Sequence, residues 1–185
     1  SEGNAQASIC ATHIETRSAG FIIDIKTPKG NGQFKTKVLG NFNISNLLAV
    51  LSVLLIFDIP LEDALTSIES LQPVAGRMQL LGGQEDPAVI VDYSHTPDAL
   101  EKALSVLREH CAGKLWCVFG CGGDRDRGKR SEMAKAAETY SDYVIVTNDN
   151  PRMESPEQIV NDIMSGFSGP DTAKVLLDRA EAIAF

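Results

Sequence analysis

The chain has 185 residues, 43% hydrophobic and 23% charged, with a formal net charge of −8. That composition supports one large or two small folded units and argues against disorder. The acidic balance, without a basic stripe, excludes a typical nucleic-acid binder, whereas the local bunching of Arg125, Arg127, Lys129 and Arg130 fits a small anionic ligand.

In chain order, residues 1–19 show no clear periodicity. Residues 21–27 and 33–39 alternate apolar with polar side chains around a Pro- and Gly-containing stretch, which predicts a β-hairpin. Residues 43–57 are apolar almost all round and read as a buried helix. Asn43 is a candidate cap, and Asn46, one turn in, is a poor helix former open to a ligand or a packing contact. Leu61, Ala64, Leu65, Ile68 and Leu71 mark a second, amphipathic helix, and the QPVAG stretch at 72–76 reads as a domain boundary. Arg77, just beyond it, either reaches across a cleft between domains or is a solvated linker charge.

Beyond the boundary, strands and helices alternate. Short apolar strands are predicted at 88–91, 115–119, 143–146 and 174–177. Thr96 with Pro97 opens one intervening helix, another starts near Arg130, and the SPEQ capping box at 155–158 opens a third. Asp178, with Glu181 three residues later, caps a last helix that has no stop signal, so the natural protein is expected to continue on both sides of this chain. Strands this short and continuously apolar, with helices between them, predict an α/β doubly wound domain with a parallel sheet from about Arg77 onward.

In such a sheet ligands bind outside the carboxyl ends of the strands. The polar stretches that follow the first three of these strands, 92–97, 120–128 and 147–152, therefore form the candidate site. Gly122 and Gly123 let a main chain approach a ligand closely, and Arg125 can fork onto a carboxylate or phosphate. Asp149 and Arg152 in one turn suit the ammonium and the carboxylate of a zwitterion; the alternative is that they pair with each other on the surface. His95 follows the first strand and is either structural or part of the site. The GDRDRGKR run at 123–130 nearly fits a phosphate loop, but Arg130 replaces the magnesium-binding hydroxyl, and Asp124 and Asp126 would face the phosphates. A stand-alone nucleotide- or anion-binding module using 120–129 is the second reading, and an interaction domain without a small-molecule site is the third.

Cys10, Cys111, Cys117 and Cys121 lack metal-site spacing and read as thiols in a reducing cytosol. There is no leader-like opening. The longest apolar run, 47–57, is shorter than the roughly 20 residues of a membrane span.

The segments GRM (76–78), DYSHTPDALEKAL (92–104), GCGGDRD (120–126) and DNPR (149–152), with GNFNISNLLA (40–49) upstream, strongly resemble the Mur ligases and, among them, the branch that adds diaminopimelate. The match runs from about residue 40 to the end. The resemblance implies that residues 1–76 are the tail of the central ATPase domain and 77–185 most of a Rossmann-like C-terminal domain. It implies ATP-driven addition of meso-diaminopimelate to UDP-N-acetylmuramoyl-L-alanyl-D-glutamate through an acyl phosphate, in peptidoglycan synthesis. On this resemblance Asp149, Asn150, Pro151, Arg152 and Arg125 hold the diamino acid, with Arg152 favouring meso-diaminopimelate over lysine. Asn46, Arg77 and Asp92, and with less definition His95, contact ATP. The family's phosphate loop and modified lysine have no counterpart here, so the catalytic residues and most of the Mg2+ site are expected outside this chain, which should be inactive alone. A cytoplasmic monomer without metal ligands of its own is the remaining expectation.

Overall fold

The computed structural model describes residues 7–83 and 86–185 and divides into two compact units, 1–93 and 94–185. In the first unit, β1 (Cys10–Arg17), β2 (Gly20–Thr27) and β3 (Gly30–Thr36) form an antiparallel sheet in that order. β2 and β3 are the expected hairpin, but its turn is tighter than expected, with Thr27 paired to Gly30 across Pro28 and Lys29. The Thr27 hydroxyl donates to the Gly30 carbonyl at 2.8 Å and accepts from the Lys29 N–H at 3.1 Å, a local clamp that suits a two-residue turn. β1 was not expected from the sequence. Only Cys10 and Ala11 of it are buried, and its register shifts between Ala11 and His13, so no clean alternation marks it.

Along β2, Phe21, Ile23 and Ile25 point to one face, as the two-residue period of a strand requires. With Phe34 of β3 they meet Ile44, Leu47, Leu48, Leu51 and Leu55 of α1 (Asn41–Ile56) and Ala64 and Ile68 of α2 (Leu61–Glu69). The sequence reading of α1 as a wholly buried helix is corrected: Phe42, Val50, Val53 and Ile56 are exposed on it, because β2, β3 and α2 cover one face only. The N-cap is Gly40, not Asn43, whose side-chain amide instead donates to the Leu39 carbonyl at 2.8 Å.

β4 (Gln79–Gly82) and β5 (Ala88–Val91) form a separate two-stranded antiparallel sheet. The strand at 88–91 was expected in the parallel sheet. It follows β4, which the sequence reading missed, after only residues 83–87. A parallel crossover needs about a dozen residues or more, so antiparallel pairing is the only arrangement open to it. This hairpin clusters with the first unit, and the two compact units part at 93/94.

The second unit holds the parallel sheet, β6 (Trp116–Phe119), β7 (Tyr143–Val146) and β8 (Ala173–Val175) in that order. α3 (Pro97–His110), α4 (Gly128–Tyr140), α5 (Pro156–Met164) and α6 (Arg179–Ala184) complete it. The caps read from the sequence are present: Thr96 accepts from the Ala99 N–H, Ser155 from Gln158, and Asp178 from Ala180 and Glu181. Leu100 and Leu104 of α3, Met133 and Ala137 of α4, and Ile159 and Ile163 of α5 pack with Cys117, Phe119, Val144 and Val146 of the sheet. All four cysteines are free; burial pushes the Cys117 thiol up to about 12 and that of Cys121 to about 11, which leaves both protonated and unreactive near neutrality. Among the described residues no helix is long and apolar enough to cross a membrane.

Ile23 is fully buried between the sheet and its helices. Ile23→Ala should therefore cost about 2–5 kcal/mol of stability, measured by denaturant unfolding, because the cavity adds to the lost transfer energy; a loss under about 1 kcal/mol would contradict this packing.

Candidate functional site

β6 and β7 run parallel, so the loops that leave their carboxyl ends emerge side by side. The Thr147 N–H continues the ladder onto the Phe119 carbonyl at 2.9 Å, and the two loops are then joined directly. The Gly123 N–H donates to the Asn150 carbonyl at 2.8 Å, and Arg152 Nη1 donates to the Gly123 carbonyl at 2.6 Å. The Met153 N–H reaches the Asp124 carboxylate at 3.3 Å, and the Asp124 N–H donates to Glu154 Oε1 at 2.6 Å.

This apposition explains the glycines. A Cβ on Gly123 would collide with the Pro151 carbonyl oxygen, so only glycine lets the two backbones approach. A Cβ on Gly122 would lie 2.8 Å from Arg152 Nη1 and 3.9 Å from Arg125 Cγ. Gly122 thus marks the spot where the Arg152 guanidinium and the Arg125 stem converge. Arg152 and Asp124 both sit at φ +51, outside the usual range for residues with side chains, a strain consistent with loops shaped for a ligand.

Beneath the loops lies a buried cation. Arg130, in the first turn of α4, is 1% exposed. Its Nη1 and Nη2 donate to Glu154 Oε2 and Oε1 at 3.0 and 2.8 Å, Nη1 also to Asp162 at 2.8 Å, and Nη2 to the Gly122 carbonyl at 3.3 Å. The fork geometry of a guanidinium suits this two-pronged grip on a carboxylate. Glu154 also pairs with Arg127 at 3.0 Å. The expectation that Arg125, Arg127, Lys129 and Arg130 together serve a small anion is corrected for Arg130, which is spent on Glu154 and Asp162, and for Arg127, which faces Glu154. Nothing local in the sequence marks this role, since the partners lie 24 and 32 residues away.

The remaining site residues fall as follows. Asn150 and Pro151 carry the carbonyls that meet Gly123. Asp149 does not pair with Arg152; its Oδ1 lies 3.8 Å from Arg179 Nη2. Arg179, the first residue of α6 after β8, was not singled out from the sequence. Its closeness to Asp149 follows from the pairing of β7 with β8, which places their carboxyl-end loops together. Asp92 accepts the Met78 N–H at 2.9 Å, and the Arg77 guanidinium lies over the Tyr93 ring at 4.6 Å, so both are held at the base of the β4–β5 hairpin. Asn46 is exposed in α1, and its side-chain amide donates to Asn43 Oδ1 at 3.1 Å. His95 is exposed just before the Thr96 cap. Among the described residues no group of three or more His, Cys, Asp or Glu side chains is placed to hold a metal ion.

The near phosphate loop does not offer a cradle of free amides. The N–H groups of Gly123, Asp124 and Gly128 are taken by the Asn150 carbonyl, Glu154 and Asp126. A phosphate would have to displace these acceptors, of which only Asp126 belongs to the loop itself.

The hydrogen bonds from Arg130 and the Asp124 N–H lower the Glu154 carboxyl to about 2, and Arg130 also lowers Asp162. A glutamate titrates near 4.3 when unfolded. A depressed folded value gives stability that is present above about pH 4.3 and lost as pH falls toward 2. The difference in melting temperature between the native protein and Arg130→Met should be largest at neutral pH and shrink between about pH 4.5 and 2.5. A difference that stays constant across that range would contradict the role given to Arg130.

Comparison with known proteins accords with this geometry. Residues 76–185 match the family model described as Mur ligase, glutamate ligase domain. The chain is 56% identical over 97% of its length to the UDP-N-acetylmuramoyl-L-alanyl-D-glutamate–2,6-diaminopimelate ligase of Coxiella burnetii, and 51% identical over 95% to that of Haemophilus influenzae. It spans only 37% and 36% of those proteins. A solved structure of a ligase of the same name superposes with a TM-score of 0.77 at 37% identity, covering 98% of this chain and 37% of that one. With a family model matching more than half of its residues, and with the α/β architecture of that family around its parallel sheet, this chain belongs to the Mur ligases.

Proposed function

We propose that this chain is the diamino-acid-holding part of an ATP-dependent ligase that adds meso-diaminopimelate to UDP-N-acetylmuramoyl-L-alanyl-D-glutamate in peptidoglycan synthesis. The observation that carries the reading is the convergence at Gly122 of the Arg152 guanidinium and the Arg125 stem, with Asp149 in the same loop as Arg152. Two guanidiniums and one carboxylate on adjacent loops complement a zwitterion: the arginines take carboxylate, and Asp149 takes an ammonium. The names of the relatives, at 50% identity or more, supply the substrate class.

In the whole ligase, phosphoryl transfer from ATP to the D-glutamate carboxylate would give an acyl phosphate, and the free amine of the diamino acid would attack its carbonyl carbon, expelling phosphate. The part of this chain is positioning: it presents the amine and neutralises charge, which supplies most of the catalysis in phosphoryl and acyl transfer of this kind. Asn46, Arg77 and Asp92, together with His95, are assigned to ATP. The Asp92 carboxylate fixed by the Met78 N–H and the Arg77 guanidinium placed over the Tyr93 ring support two of these assignments. Mg2+ is assigned mainly to the part of the ligase outside this chain. Residues 1–76 are assigned to the end of the central domain and 77–185 to the C-terminal domain, supported by the family match at 76–185. A cytoplasmic, monomeric enzyme of cell-wall biogenesis, serving cell shape and division, completes the proposal.

The full-length ligase tests it. Arg152→Ala should raise KM for meso-diaminopimelate by about tenfold or more, in line with losing a hydrogen-bonded charge, and leave KM for ATP within about twofold. The native enzyme should prefer meso-diaminopimelate over lysine. Equal use of the two amino acids, or an effect of Arg152→Ala confined to ATP, would refute the reading.

A further inference from the structure

The loop after β8 is tied to the diamino-acid loop as closely as the loop after β6 is. The Leu176 N–H donates to the Val146 carbonyl at 2.9 Å, the Asn148 N–H to the Leu177 carbonyl at 3.3 Å, and the Thr147 hydroxyl to the same carbonyl at 3.4 Å. Asp178 then caps α6 through the N–H groups of Ala180 and Glu181, which fixes the backbone of Arg179 between them. From there Arg179 Nη2 donates to the Asn148 carbonyl at 2.9 Å and lies 3.8 Å from Asp149 Oδ1.

We propose that Arg179 is a positioning residue of the diamino-acid site: it braces the Asn148–Asp149 turn from behind and sets the orientation of the Asp149 carboxylate. The proposal rests on the reading of Asp149 as the ammonium acceptor. The short bond goes to the main chain and the longer contact to the carboxylate, so Arg179 anchors the turn without neutralising Asp149 by a tight pair. The contact to Arg179 runs through Oδ1 at 3.8 Å, and a carboxylate offers about four acceptor sites, so Asp149 keeps capacity for an incoming ammonium. Arg125 and Arg152 thus grip the substrate's carboxylate from the loops after β6 and β7, and Arg179 supports the ammonium-binding end from the start of α6. A lysine at this position has one ammonium and no planar fork, so it could keep the carbonyl bond or the carboxylate contact more readily than both.

In the full-length ligase, Arg179→Met should raise KM for meso-diaminopimelate about three- to tenfold, the effect of one ordinary hydrogen bond because Arg179 acts only through the turn and Asp149, with a smaller loss of kcat and little change in KM for ATP. Arg179→Lys should recover part of that affinity. Asp149→Asn combined with Arg179→Met should weaken the amino acid less than the product of the two single effects, because both act through one carboxylate. If Arg152→Ala raises KM for meso-diaminopimelate but Arg179→Met does not, Arg179 has no such role and the site assignment stands. Should Arg179→Met raise all three substrate KM values alike, or the double variant combine its losses multiplicatively, a purely structural role replaces the proposal. If neither Arg152→Ala nor Arg179→Met alters KM for the amino acid, the site assignment and this inference fall together.

Discussion

The candidate site depends on one buried ion pair. Arg130 sits beneath two loops that carry no regular secondary structure of their own, and its guanidinium fastens Glu154 and Asp162 on one side and the Gly122 carbonyl on the other. Glu154 in turn receives the Asp124 N–H, so one cation fixes both the glycine-rich loop after β6 and the segment after Arg152. A buried ion pair is weak evidence for net stability, since desolvation offsets much of its attraction. Its use here is geometric: with each partner held by several hydrogen bonds, the loops have a single registry in which the Arg152 and Arg125 side chains come together at Gly122.

That registry links sequence to chemistry through backbone contacts. Gly123 has no side chain because the Pro151 carbonyl occupies the space, and Arg152 takes a left-handed backbone conformation in the turn that brings its guanidinium back over Gly123. The parallel pairing of β6, β7 and β8 supplies the rest, since it delivers three loops to one edge where ligands of such sheets bind. Charged side chains follow all three strands: Arg125 after β6, Asp149 and Arg152 after β7, and Arg179 at the start of α6 after β8.

How much of this could be read from the sequence depended on how local the signal was. β7, at Tyr143–Val146, and the caps at Thr96, Ser155 and Asp178 were legible because each is decided within a few residues. The three-residue spacing of a capping box or a run of β-branched residues needs no tertiary knowledge. The adjacency of the loops with Arg125, Asp149 and Arg152 was legible because polar stretches followed successive apolar strands that pair in parallel. Features set by distant partners were not legible. β1 has few buried positions and a register shift, β4 is four residues long, and β5 joins β4 because their connection is short. Arg130 was grouped with the cations of an anion site because Glu154 and Asp162 lie far along the chain, and Arg179 was passed over because only the pairing of β7 with β8 places it against Asp149. α1 was overread as buried because an apolar helix does not reveal how many of its faces find partners.

The central claim is that the edge of the parallel sheet grips a zwitterion by both ends. A crystal structure of the full-length ligase with meso-diaminopimelate tests it most directly. The account predicts a ligand carboxylate within about 3 Å of the Arg152 guanidinium, with Arg125 on the same group, and an ammonium at a similar distance from Asp149. Diaminopimelate bound elsewhere, with these three side chains still facing solvent or each other, would contradict it.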